Sequence, residues 1–160
     1  MNPLLKSAER AWSRLVAGLE MLQPVAQLAA RLYIARVFFY SGLTKIHDWG
    51  TTLALFNDEY KVPLLPPELA AYMGTGGELV LPVLLVLGLF GRFAALGLSI
   101  LNVVAAMSLP EITDAIRQQH EFWGSLLVLL LLWGPGRLSA DAWLGSKLRM
   151  RWGLQPAARA

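Results

Sequence analysis

Residues 67 to 92, PELAAYMGTGGELVLPVLLVLGLFGR, constrain the fold more than any other stretch. Between Leu69 and Phe90 lie twenty-two residues and one charge, Glu78, the length a helix needs to cross ~30 Å of hydrocarbon. A carboxyl at that depth is costly against lipid, so Glu78 should face partners inside a bundle. Four residues later Pro82 has no N–H to offer the carbonyl of residue 78, which places an unmatched backbone acceptor beside the acid. Pro66 and Pro67 suit a helix entry, and Glu68 sits at the positive end of its dipole. Gly74, Gly76 and Gly77 leave one side thin enough for a neighbouring helix.

The remainder of the chain points to the same solvent. With 56% apolar and 16% charged residues in 160, a single membrane domain is expected rather than a soluble one. Spans are predicted at about 22–43, 69–90, 93–109 and 122–133, with no internal repeat and no second domain. The first span carries Arg31 and Arg36; Arg31, early in the helix, can snorkel toward the N-terminal interface, and Arg36 cannot easily do so. Pro110 ends the third span and the GPG at 134–136 ends the fourth. Residues 3–20 have an apolar face with Leu4, Trp12, Leu15 and Leu19, which fits a helix in the headgroup plane or one packed on the end of the bundle. Trp143, Leu144, Leu148 and Trp152 are spaced for a second interfacial helix. Residues 45–67, too polar to span and rich in Trp49, Phe56 and Tyr60, are expected to cap the bundle. The expected fold class is therefore all-α, an integral membrane four-helix bundle with interfacial amphipathic helices at both termini.

Charge sets the expected orientation. Nine basic residues lie in the tails and the turn at Arg92, against three (Lys45, Lys61, Arg117) in the other two loops. By the positive-inside rule both termini should be cytoplasmic. No cleavable signal peptide is expected, since the first apolar run begins near Leu22 and contains two arginines. The net charge of +3 sits at span ends and in tails rather than in a stripe, so a nucleic-acid partner is not expected. Absence of cysteine excludes thiol exchange, thiolate-held clusters and sulfur-ligated zinc.

Depth along the helices suggests a site. Arg36 lies ~12 Å inside the exit of span one and Glu78 ~15 Å inside the entry of span two, measured from the same face because consecutive spans are antiparallel. An Arg36–Glu78 ion pair is expected, with Asn102, ~12 Å from Pro110, in the same layer. Above it an outer mouth is expected from Lys45, His47 and His120, lined by Tyr33, Tyr40, Tyr72, Phe122 and Trp123, suited to a flat apolar headgroup such as a quinone. The alternatives are that Arg36, Glu78 and Asn102 neutralise one another as structural glue, and that the histidines are ordinary interfacial residues. His47 and His120 lie outside the spans, which disfavours haem. Cu(I) held by His47, His120, Met73 and Met107 is chemically admissible, although chain spacing does not establish that they converge. No nucleophile–base arrangement, phosphate loop or paired-carboxylate site stands out.

Over roughly residues 28–144 the chain resembles the DoxX family of small four-span bacterial membrane proteins. The resemblance rests on Arg36 in LYIARVFFYSGLTKI, Lys45 ending that run, Glu78 in GTGGELVLPVLLVLGLFGR, Arg92, His120 and GPGRLSAD. The segment LFNDEYKVPLLPPELAAYMGTGGEL is similar to the subgroup associated with copper-binding ribosomal peptides and their maturation enzymes. The resemblance implies a multi-pass protein of the bacterial inner membrane, surrounded by lipid, acting as an accessory subunit of a quinone-linked redox system. Its alternative is a non-catalytic partner in copper-peptide maturation, export or metal handling. Either role implies protein partners; an electron carrier would have to be bound or supplied by one of them.

Overall fold

A computed structural model describes residues 3–152 and is all-α, with six helices among those residues. They are α1 (Pro3–His47), α2 (Trp49–Asp58), α3 (Pro67–Leu87), α4 (Gly91–Ser108), α5 (Asp114–Trp133) and α6 (Ala140–Trp152). Helix α1 packs on α3, α3 on α4, α4 on α5, and α5 on α1. Gly77 of α3 faces Leu101 of α4 while Gly97 of α4 faces Leu81 of α3. Facing positions thus run in opposite directions along the two helices, the mark of an antiparallel pair. The close approach puts leucine side chains where a Cβ would otherwise stand. Gly76 has open space beside it, and Gly74 meets Phe56 of α2 only at ordinary contact distance, so Gly77 supplies the thin side expected of all three.

The shared core consists of Ile34 and Phe38 of α1, Leu85 of α3, Ala94, Ala95 and Leu98 of α4, and Leu127 and Leu130 of α5. Outside it the helices remain apolar: Leu32, Val80, Val83, Phe93, Leu96, Ile100, Val103, Val128 and Leu132 are all exposed. Only 28% of the most apolar window of α3 and 33% of that of α4 is buried. A core helix of a soluble protein would be mostly covered, so apolar surface on this scale calls for lipid or a partner. By length and hydropathy α3 and α4 are the two helices that qualify as membrane spans among the described residues.

Three expectations change. Residues 3–20 are not a separate interfacial helix; they continue without a break into the first apolar segment as α1, whose 45 residues include Pro24. At 1.5 Å per residue α1 is ~67 Å long. The loop expected before the fourth span is helical from Asp114, where the Thr113 hydroxyl accepts from the backbone N–H of Ile116. His120 therefore stands inside a helix. Arg31 does not snorkel out but is fully buried. For the C-terminal segment, α6 forms and carries exposed Trp143 and Leu144, with Lys147 Nζ 3.8 Å from the Trp143 ring centre. The side chains of Leu148 and Trp152 lie outside those described.

Arg31 locks one end of the molecule. Its guanidinium donates to the carbonyls of Leu85 (3.4 Å) and Val86 (3.3 Å) in the last turn of α3, and to that of Leu138. The last carbonyls of a helix have no partner within it, and a cation is favoured there by the dipole. Helix α3 ends on Gly88 at φ 63°; a Cβ there would collide with Arg31 and Ser139. Asp141 closes the same corner by accepting 2.9 Å bonds from the N–H groups of Phe90 and Gly91, capping α4 from α6. Arg92 in turn donates to the carbonyl of Leu132 near the end of α5. At the other end Asp48 caps α2, accepting from the Thr51 N–H and hydroxyl, and these bonds hold its carboxyl below the ordinary carboxylate range.

Replacing Arg31 by Met takes this donor from the carbonyls of Val86 and Leu138, each worth ~1–3 kcal/mol when buried and unsatisfied, while that of Leu85 keeps the Gly88 N–H at 3.1 Å. Hydrogen exchange in residues 136–142 is expected to rise sharply in Arg31→Met while the middle of α4 stays protected; unchanged exchange in that segment refutes the lock.

Candidate functional site

The opposite end of the helices encloses a cavity of about 510 Å³. All the elements from α1 to α5 contribute: Ser41 and Lys45 from α1, Phe56 from α2, Tyr60 from the following loop, Met73 and Glu78 from α3, Ser108 from α4, His120 and Trp123 from α5. The segment after α1 folds over it as a cap. Phe56 packs with Ala70 and Ala71 of α3 together with Trp49, Leu53, Tyr60, Val62 and Leu65. The cap is fastened by backbone: Thr52 Oγ1 donates to the carbonyl of Lys45, and Lys61 N–H donates to that of Ser108, both at 2.9 Å. The capping role expected of residues 45–67 is thus realised, with α2 at its centre.

Glu78 faces inward, as its position in an apolar run demands, but its partner is Lys45. Lys45 Nζ stands 2.6 Å from Glu78 Oε2 and donates to Ser41 Oγ at 2.8 Å; Ser41 Oγ donates to Glu78 Oε1 at 3.2 Å. The side chains of Lys45 and Glu78 are 20% and 12% exposed, dry enough for an ion pair to require good geometry and further hydrogen bonds. The ring of three supplies both. Gly42 makes it reachable: a Cβ at this position would lie 2.9 Å from Leu79 and 3.2 Å from the Glu78 Cβ. The backbone of α1 therefore comes close to α3 between the two residues that bind its acid. Lysine has three donors, and two are engaged here, which leaves one for the cavity.

A second polar pair joins α4 to α5. Asn102 Nδ2 donates to the carbonyl of His120, and Asn102 Oδ1 stands 2.9 Å from His120 Nδ1. Because a carbonyl can only accept, the Asn102 nitrogen must face it and the amide oxygen must face the ring. Nδ1 is therefore the protonated nitrogen of neutral His120, and Nε2 keeps its lone pair. Gly124 makes room, with Asn102 Nδ2 3.2 Å from where its Cβ would be. The His120 ring meets Trp123 edge to face at 5.1 Å, and Trp123 rests on Phe38 and reaches the Tyr33 hydroxyl. Burial and the negative charges of Glu59 and Glu78 push the Tyr60 phenol up, so it enters the cavity as a neutral hydroxyl.

Arg36 is not part of this site. It is exposed on the outer side of α1, its guanidinium 5.8 Å from the centre of the Tyr40 ring, in a groove with Pro82 and Val83. The expected Arg36–Glu78 pair is absent because equal depth does not fix the angle about the helix axis. Nine residues separate Arg36 from Lys45, half a turn out of phase on a helix of 3.6 residues per turn, whereas Ser41 and Lys45, four apart, share a face. Asn102 likewise binds His120 rather than an Arg36–Glu78 layer. Of the expected lining, Tyr40 and Trp123 reach the cavity; Tyr33 and Phe122 pack against each other nearby, and Tyr72 stacks on Trp49. Of the four copper candidates, Met73 and His120 line the cavity, while His47 and Met107 do not. Ser41 and Tyr60 are additions, and Ser41 was detectable as the residue one turn before Lys45.

Substituting Asn102 by Leu removes both bonds to His120 and frees its tautomer. We expect the His120 imidazole nitrogen resonances to change from a fixed Nδ1–H form to a mixture, while Asn102→Asp keeps an acceptor on Nδ1 and preserves that form. An unchanged spectrum in Asn102→Leu refutes the assignment.

The DoxX family pattern matches residues 26–110, a stretch that includes Arg31, the Ser41–Lys45–Glu78 ring and Asn102 and stops short of His120. A Haemophilus influenzae protein described as uncharacterized is 32% identical over 126 residues, covering 73% of this chain and 82% of its own length. No solved structure matches the chain. With more than half of its residues in the family pattern and apolar surface left open on α3 and α4, this chain belongs to the DoxX family of membrane proteins.

Proposed function

We propose that the chain is a multi-pass protein of the bacterial inner membrane and a quinone-linked accessory subunit of a redox system, with the capped cavity as its headgroup site. In this reading α1 from about residue 25 and α5 cross the membrane beside α3 and α4 as a four-helix bundle, with both termini cytoplasmic. Each has a face in the core shared with those two helices and an apolar face outside it. Hydropathy alone does not select α1, because Arg31 and Arg36 lower it.

One observation carries the reading: an apolar cavity of about 510 Å³ holds a spare Lys45 donor beside Glu78 and an imidazole whose free nitrogen is an acceptor. The volume lies within the range of small-molecule sites, in which a few polar groups orient a mostly apolar ligand. A quinone supplies two-electron, two-proton chemistry. Lys45 would donate to one of its oxygens. His120, neutral, accepts from a hydroxyl and, protonated, donates to a carbonyl, so one side chain suits both oxidation states. Tyr60 adds a neutral hydroxyl, and Trp123 and Phe56 offer ring faces. Because the sequence contains no cysteine, no thiol of this chain accepts the electrons, and a protein partner is required. A role in copper-peptide maturation has less support, since the cavity unites only one histidine and one methionine of the four copper candidates.

A short-tailed ubiquinone analogue should bind the purified protein in nanodiscs, and native quinone should be extractable from it. Lys45→Ala and His120→Ala are each expected to weaken binding about tenfold, the equivalent of ~1.4 kcal/mol. Saturable binding that is indifferent to both substitutions, or none at all, rules the headgroup site out.

A further inference from the structure

Arg36 presents a problem that the cavity does not solve. Its guanidinium extends along α1 toward Tyr40, away from the end where Arg31 is anchored, and lies between the two ends of the bundle on the outer surface. Beside it a groove of about 320 Å³ runs between α1 and α3, walled by Leu32, Phe39, Pro82, Val83 and Val86. Among the described residues no oxygen binds Arg36; its guanidinium lies over the Tyr40 ring face. A guanidinium at mid-membrane depth costs at least ~2.5–3.5 kcal/mol unless something compensates its charge.

We infer that this groove receives a transmembrane helix of another protein, which places a carboxylate opposite Arg36. The inference rests on the four-crossing reading above, because it requires α1 to traverse the lipid. Charge complementarity selects the occupant. A second copy of this chain is the poorer occupant: Glu78 is the one carboxylate within the apolar runs and is held by Lys45 and Ser41, while the exposed Glu121 closes the polar stretch DAIRQQHE that opens α5 rather than lying in its apolar run. A lipid phosphate belongs at the headgroup level, whereas Arg36 is bent back toward Tyr40 in the middle of the helix. The groove is apolar apart from the guanidinium, as a surface for a mostly apolar helix with one acid should be.

The test uses the full chain in phosphatidylcholine vesicles with a leucine–alanine transmembrane peptide bearing one central aspartate, and asparagine and lysine versions of it. Energy transfer between labelled peptide and labelled protein is the readout. The aspartate peptide should associate about tenfold more tightly than the asparagine peptide. Arg36→Gln should abolish that preference, and Arg36→Glu should transfer it to the lysine peptide. Equal association of all three peptides, Arg36-dependent self-association of the protein, or a response to added phosphatidylglycerol in place of the peptide each overturns the inference. Single cysteines introduced as Glu9→Cys and Asn57→Cys separate the two readings. Labelling from the same side means that α1 does not cross, and both fall together; labelling from opposite sides without an aspartate preference defeats the groove alone. Quinone binding to Arg36→Gln should match the wild type, since Arg36 does not line the cavity.

Discussion

The Lys45–Glu78 ion pair fixes how α1 meets α3, and the cavity depends on that meeting. Two opposite charges in a dry setting attract strongly but lose hydration, so such a pair forms only where the backbones allow short contacts and other groups complete the hydrogen bonding. Gly42 provides the approach and Ser41 the additional bonds. Three consecutive roles thus fall within five residues of one helix. The same crossing sets the height of the cap, because Thr52 fastens α2 to the Lys45 carbonyl. Moving α1 along its axis by one turn would strand Glu78 in apolar surroundings and lift the cap with it.

The sequence was most legible where one residue type contradicts its surroundings. Glu78 in an apolar run had to face inward, and it does; the ends of α3 and α4 fall within three residues of those read from prolines, glycines and the apolar segment. Depth could be counted at 1.5 Å per residue, but a partner also has an angular position, and Arg36 and Lys45 differ by half a turn. The heptad-like argument that selects an amphipathic face would have favoured Lys45 over Arg36. His120 was hidden for another reason: the polar stretch 111–121 reads as a loop, whereas the Thr113 cap starts a helix seven residues before it.

Arg31 could not be placed from local sequence at all. Snorkelling is what an isolated helix does with an arginine near its end, and the sequence around Arg31 supplies no alternative. The alternative comes from 54 to 107 residues away, in the carbonyls of Leu85, Val86 and Leu138. Those acceptors exist because α3 must end and because the GPGRLSAD segment turns back beneath it. Conversely, the break expected near residue 21 has no physical cause. No glycine or asparagine follows Glu20 to stop the helix, and Pro24 costs only the bond to the carbonyl of residue 20.

The four cationic side chains of α1 and α4 that face the bundle or its outer surface thus meet three kinds of solution. Arg31 and Arg92 use backbone carbonyls at the ends of α3 and α5, Lys45 uses a carboxylate and a hydroxyl, and Arg36, among the described residues, uses a ring face alone. The first three convert a desolvation cost into a joint between two elements of this chain, and each would be lost if either element moved. Arg36 joins no second element among the described residues, although it lies on the same helix as two that do. A tyrosine face offsets only part of the cost of an unpaired guanidinium in lipid. By the logic that places the other three, the partner helix inferred above would complete Arg36 with a carboxylate.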